Sequence, residues 1–243
     1  MKFNHFLTSY IPDLSIGFKT HFENMIEQSI FAEECGYNTV SIPEHHLVNL
    51  LMMPSPLQMA VKIATLTKNI NIATSVAVLP LHDMRTYAGE ISTADILTDG
   101  RLIFGVGRGA FAWEMNRLGS PIETSKEKFI ESLEVLKLLL SKKDVGFKGK
   151  YYNFDPITIM PRPISNPIQF MIAAMDPSSI ENAASQGFHV QSTVLSSSKD
   201  LLIERVNAFK KGKKKLGEKG KLITLSMQRV AYAAKDEKDA EEK

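Results

Sequence analysis

Ala32-Glu33-Glu34-Cys35-Gly36-Tyr37-Asn38-Thr39-Val40-Ser41-Ile42-Pro43-Glu44-His45-His46 contains the change of periodicity that decides the fold. Upstream, Phe18, Phe22, Met25/Ile26 and Ala32 recur at helical spacing, which predicts a helix over Phe18–Cys35 with Gly36 as its stop. Downstream, Thr39–Pro43 is a short β-branched run and reads as a strand. A helix therefore feeds directly into a strand, and Glu44-His45-His46 stands where that strand ends.

The same alternation extends in both directions. Phe3–Thr8 reads as the first strand. Ser55-Pro56, a cap with proline at the first helical position, opens a helix through Thr67. Asn71–Leu79 is the third strand, Asp83–Leu97 a helix and Arg101–Val106 the fourth strand. Gly107–Ile122 reads as a long loop. Thr124 with Glu127 forms a capping box before a helix carrying Phe129, Leu133, Leu136 and Leu140. Val145–Pro167 is an irregular excursion. Then come strand Ile168–Ala174, a helix capped by Asp176-Pro177 through Ser185, strand Val190–Leu195, helix Asp200–Leu216 and strand Leu222–Ala234.

Strands that alternate with helices imply a parallel sheet with right-handed crossovers. Seven short strands favour a closed barrel over an open doubly wound sheet. The expectation is an α/β chain with one domain over residues 1–243, a TIM-type (β/α)8 barrel that lacks its final βα unit and is incomplete at its C-terminus.

Composition narrows the function. A 44% hydrophobic and 23% charged content is that of an ordinary globular protein. A net charge of +2 makes no case for a nucleic-acid or membrane surface. No apolar run reaches the ~18 residues a membrane span needs. Cys35 is the sole cysteine, so no internal disulfide forms. With no signal peptide in the sequence, this points to the cytoplasm. The Lys210–Lys221 cluster has no interleaved aromatics and reads as a solvated helix end.

Three loci carry chemistry. Gly105-Val106-Gly107-Arg108-Gly109 follows a strand, but its glycine spacing is not that of a dinucleotide fingerprint. It reads as a glycine-rich strand end that a ligand approaches closely, with Arg108 either the cation for an anionic group or a surface arginine in a turn. Histidine at the C-terminal rim of a barrel strand is placed for acid–base work, and Glu44 could hydrogen-bond an imidazole. Adjacent strand residues point to opposite sides, which weakens a zinc site on His45 and His46. Met175-Asp176-Pro177-Ser178-Ser179 is either a helix N-terminus that binds phosphate or a helix start that Asp176 caps. Leu79-Pro80-Leu81-His82-Asp83 reads as a turn followed by an N-cap.

These stretches, with Leu97-Thr98-Asp99-Gly100-Arg101-Leu102 and Pro161-Arg162-Pro163, resemble in order and spacing the bacterial-luciferase-like flavin monooxygenases. The resemblance implies a barrel that binds reduced FMN, activates O2 and oxygenates a small organic substrate, an aldehyde being the candidate. It also implies a separate flavin reductase as partner and a homodimer. By position, His45 matches luciferase's catalytic histidine and Glu114 an acidic position near the flavin, and Glu44, beside His45, is taken with them as the catalytic set. Arg108, Met175, Asp176 and Ser179 fall on the flavin phosphate. Ser75-Val76 lies where the family often has a non-proline cis peptide beneath the flavin ring. Asp176 replaces a hydroxyl residue of the family, and Gly107 replaces luciferase's cysteine, so light emission is not implied. The alternatives are an F420-dependent hydride-transfer enzyme of the same superfamily and a non-catalytic flavin-binding protein. No metal is expected.

Overall fold

A computed structural model describes residues 1–49, 51–194 and 198–242. Strand and helix alternate from the start: β1 (Asn4–Phe6), α1 (Phe18–Glu34), β2 (Thr39–Ile42), α2 (Pro56–Ala64), β3 (Asn71–Thr74), β4 (Ala77–Val78) and α3 (Met84–Leu97). Then follow β5 (Leu102–Gly107), α4 (Ala112–Arg117), α5 (Ser125–Ser141), β6 (Val145–Lys148), β7 (Asn153–Ile157) and β8 (Gln169–Ala173). The last elements are α6 (Pro177–Ser185), β9 (His189–Thr193), α7 (Lys199–Lys215), β10 (Leu225–Gln228) and α8 (Glu237–Glu241). Among the described residues no helix is long and apolar enough to cross a membrane.

Two compact units result, Met1–Ala173 and Ala174–Lys243. In the first, β1, β2, β3, β5 and β8 pair in that order, all parallel. Thr39 lies opposite both Asn4 and Asn71, and Ile103 opposite both Ala73 and Gln169. All four residues of β2 are buried, as a parallel strand covered on both faces must be. In the second unit β9 and β10 pair in parallel. There α6 meets α7 at Gly212, where a Cβ would overlap the Glu181 carbonyl oxygen. The class is α/β of the TIM type, built from repeated parallel βα units.

Charged side chains secure the N-terminal ends of the strands by binding backbone. The Glu33 carboxylate accepts from the N–H groups of Lys68, Asn69 and Ile70, just before β3. Arg101 donates to the Ala64 carbonyl at 2.8 Å and the Ile70 carbonyl at 3.3 Å. Arg162 donates at 2.6 Å to the Leu139 and Leu140 carbonyls, which the C-terminal end of α5 leaves free. Buried Asp95 accepts from the Ile164 and Ser165 N–H groups at 2.8 Å.

Several expectations change. The third strand is broken into β3 and β4 at Ser75-Val76, whose peptide bond is cis, and the Ser75 N–H donates to the Ile42 carbonyl. The expected loop Gly107–Ile122 contains α4, and the excursion Val145–Pro167 contains the antiparallel hairpin β6–β7. No capping box forms at α5, because the Thr124 hydroxyl donates to the Pro121 carbonyl and Glu127 pairs with Lys150 at 2.7 Å. The last strand covers only Leu225–Gln228, and the residues from Arg229 to Ala234 are exposed and unladdered. Leu195, expected to end the sixth strand, lies outside the described residues.

The glycines of β5 are also not what their spacing suggests. The chain itself packs where a side chain at each would stand. A Cβ on Gly105 would overlap the Thr74 carbonyl oxygen, and one on Gly107 would lie 2.6 Å from Val76 Cγ2. Gly109, at φ +85°, faces the Met115 sulfur. Gly105→Ala should therefore lower unfolding free energy by about 3 kcal/mol, the upper end of the usual range for overpacking. Gly89→Ala in α3, where a Cβ meets nothing nearer than 3.7 Å, should be neutral or stabilising. Urea unfolding midpoints of the two variants check the contrast.

Candidate active site

β2 carries the chain through Pro43 to Glu44, whose side chain is buried at the strand's C-terminal end. Glu44 Oε1 accepts from His46 Nε2 at 2.8 Å and from His82 Nε2 at 2.7 Å. Its Oε2 accepts from the Val78 N–H at 2.8 Å. Burial alone would raise the carboxyl pKa, but the hydrogen bonds from His46, His82 and Val78 outweigh it, so Glu44 stays below the ordinary range. An ionised carboxylate only accepts, so both imidazoles present N–H to it. The His82 ring stacks on Tyr87 with centroids 3.8 Å apart. Burial, then the charges of Glu44 and Glu90, push the Tyr87 hydroxyl well above an ordinary tyrosine.

His45 is held by a second buried carboxylate. Glu114 stands on α4 with 2% of its side chain exposed. Its Oε2 lies 3.2 Å from His45 Nδ1, and its Oε1 accepts from the His46 backbone N–H. The His45 N–H donates to the Met53 carbonyl at 3.0 Å, and its ring meets Phe111 at 5.0 Å between centroids. The ring keeps 17% exposure, so it can meet a ligand. The hydrogen bond to Glu44, with the charges of both carboxylates, outweighs partial burial and raises the His46 pKa above its ordinary value.

The structure thus brings together three residues expected to be catalytic, Glu44, His45 and Glu114. It adds His46 and His82 to the same network. In sequence His82 looks like part of a turn, and only the fold reveals that it donates to Glu44. Among the described residues no group of three or more histidine, cysteine, aspartate or glutamate side chains is arranged to hold a metal ion. Ser75 and Val76 are half-buried at the break between β3 and β4. Arg108 is exposed just past β5.

In the second unit, Asp176 caps α6. Its Oδ1 accepts from Ser178 Oγ at 2.7 Å and from the Ser179 N–H at 2.9 Å. The serine hydroxyl and backbone hydrogen bonds lower its pKa to about 2. Asp176 thus takes the Ser179 N–H of this helix start for itself, and Met175 and Ser179 are exposed beside it. Sequence reasoning overlooked Arg205, which is buried and donates to the Met175 carbonyl at 2.7 Å and to the Thr193 carbonyl. Its signal was a cation in the apolar stripe Leu202, Arg205, Ala208, Phe209 and Gly212.

The family model for luciferase-like monooxygenases matches residues 1–243. An uncharacterised protein of Sinorhizobium fredii is 31% identical over 214 residues, 88% of this chain and 61% of that protein. The oxygenase component of a flavin-dependent trigonelline monooxygenase from Acinetobacter baylyi is 29% identical over 228 residues, 92% of this chain and 62% of that protein. An F420-dependent glucose-6-phosphate dehydrogenase from Amycolatopsis mediterranei is 30% identical over 183 residues, 68% of this chain and 53% of that protein. A solved monooxygenase structure from Streptomyces bottropensis covers 100% of this chain and 74% of its own at a TM-score of 0.89 and 23% identity, a likeness of fold. The chain spans about three fifths of the length of the first of these curated relatives.

The paired shifts give the network a pH window. A raised His46 pKa stabilises the fold fully below its ordinary 6.5, and that contribution is lost as pH rises through the higher folded value. A lowered Glu44 pKa stabilises above its ordinary 4.5, and that contribution is lost as pH falls through the lower folded value. The stability gap between the native chain and His46→Gln should be widest between pH 4.5 and 6.5 and should narrow well above it. Urea titrations across that range check this, and a gap independent of pH would contradict it.

Proposed function

We propose that this chain, which belongs to the luciferase-like monooxygenase family, uses reduced FMN and O2 to oxygenate a small organic substrate, an aldehyde being one candidate. A separate flavin reductase supplies the reduced cofactor, as the name "oxygenase component" of the Acinetobacter relative suggests for that protein. The working form in this reading is a cytoplasmic homodimer. The observation that carries it is a partly exposed imidazole, His45, held by buried Glu114 at the C-terminal end of a parallel strand, in a chain the family model spans completely.

The residues of the first unit fit a flavin mononucleotide. Arg108 offers an exposed guanidinium with no ion pair among the described residues, suited to a phosphate monoester. It is a better phosphate ligand than the start of α6, where Asp176 would repel a second anion. Ser75 and Val76 would hold the ring system. When bound, the reduced flavin supplies the electrons that activate O2. His45 moves a proton to or from the reacting oxygen or the substrate. Phe111, against the His45 ring, helps keep water from it.

The F420-dependent relative supports a second reading, hydride transfer without O2. Absorbance spectra of the protein titrated with reduced FMN and with reduced F420 separate the two by which cofactor binds.

Arg108→Ala should weaken FMN binding about 10- to 100-fold and leave riboflavin binding almost unchanged. Equal losses for both ligands would remove the phosphate role. His45→Ala should retain FMN but lose turnover by ~100-fold or more, the usual scale for a lost general acid or base. Oxygen uptake with reduced FMN and a series of alkanals measures it.

A further inference from the structure

We propose that Glu114 is a positioning residue that locks His45 in its Nδ1–H tautomer, which makes Nε2 the atom that exchanges the proton; this rests on the acid–base reading of His45. Glu114 Oε1 accepts the His46 backbone N–H, a group that can only donate. That bond fixes the carboxylate and leaves Oε2 3.2 Å from His45 Nδ1. With Oε1 engaged by that N–H, Oε2 faces Nδ1 as its acceptor, which places the hydrogen on Nδ1 and leaves Nε2 its lone pair. Nε2 finds no protein partner among the described residues, and the ring's remaining 17% exposure leaves it reachable.

Each support of this arrangement is itself supported. The His45 main chain is tied to Met53, and Phe111 packs against the ring at 55° and limits its rotation. The His46 main chain, whose N–H orients Glu114, is steadied through its own ring, held by Glu44 at 2.8 Å. Glu44 is fixed in turn by His82 and the Val78 N–H. Two buried carboxylates thus alternate with two adjacent histidines. A neutral imidazole free in water exchanges between tautomers, and one that must accept a proton at a fixed point loses rate whenever the wrong nitrogen holds the hydrogen.

Long-range proton–nitrogen spectra of 15N-labelled protein near pH 9, where an ordinary imidazole is neutral, read the tautomer directly. The His45 signals are identified by their loss in His45→Gln. The expected result is a protonated Nδ1 and a lone-pair Nε2 in the native chain, and a mixture of both forms in Glu114→Gln. Steady-state oxygen uptake should show the turnover number of Glu114→Gln down about tenfold or more, with the Michaelis constant for reduced FMN unchanged. A native His45 that bears its proton on Nε2, or a single Nδ1–H form that survives Glu114→Gln, overturns the proposal. The native spectrum decides even if the variant fails to fold. Full turnover by His45→Gln would instead remove the acid–base reading, while the spectrum alone judges the lock, so the two failures are told apart.

Discussion

The arrangement at the strand ends depends on one buried charge. Glu44 is almost fully shielded from water, and an ionised carboxylate there would cost several kcal/mol without partners. It has three N–H partners, from His46, His82 and Val78. They come from the extension of β2, the end of β4 and the entry to α3, so a single carboxylate sets the spacing of three separate segments. From Glu44 the order continues through His46 to Glu114 and so to His45. Removing the first link would loosen every later one, because each polar group in the series is oriented by the one before it.

The first unit uses the same residue types for two different tasks. At the N-terminal ends of its strands, Glu33, Arg101 and Arg162 bind backbone N–H or carbonyl groups and tie loops to helix ends. At the C-terminal ends, Glu44 and Glu114 bind imidazoles. A backbone partner cannot change protonation state, so the first set can only hold the fold. An imidazole partner can change, so the second set can take part in chemistry. This matches the division of parallel βα folds into a stability face and a catalytic face.

Much of the fold was legible because burial writes itself into periodicity. The buried run Thr39–Ile42 is an example, whereas the face that α1 buries is His21, Met25, Ser29 and Ala32, and Phe18 of its apolar stripe is exposed. Features that depend on partners far along the chain were not. α4 has only six residues, and Phe111 and Trp113 around its start are exposed, so no apolar period marks it. His82 resembles any turn residue until Glu44, distant in sequence, is seen beside it. Gly105, Gly107 and Gly109 look like room left for a ligand, yet Thr74, Val76 and Met115 stand where their side chains would be. Thr124 and Glu127 have the spacing of a cap but find better partners in Pro121 and Lys150. At the candidate site Glu44 and His45 are legible because they are local to a strand end. Glu114 came only from the resemblance.

The brevity of α4 has a kinetic consequence. A helix of six residues has too few internal hydrogen bonds to persist alone, so its order comes from being docked through Glu114 and Met115. The same docking brings the carboxylate to His45. Local unfolding of this turn and loss of the imidazole's acceptor are therefore one event. A molecule whose turn has opened to bulk water is, for that interval, also one whose His45 ring has lost its carboxylate neighbour.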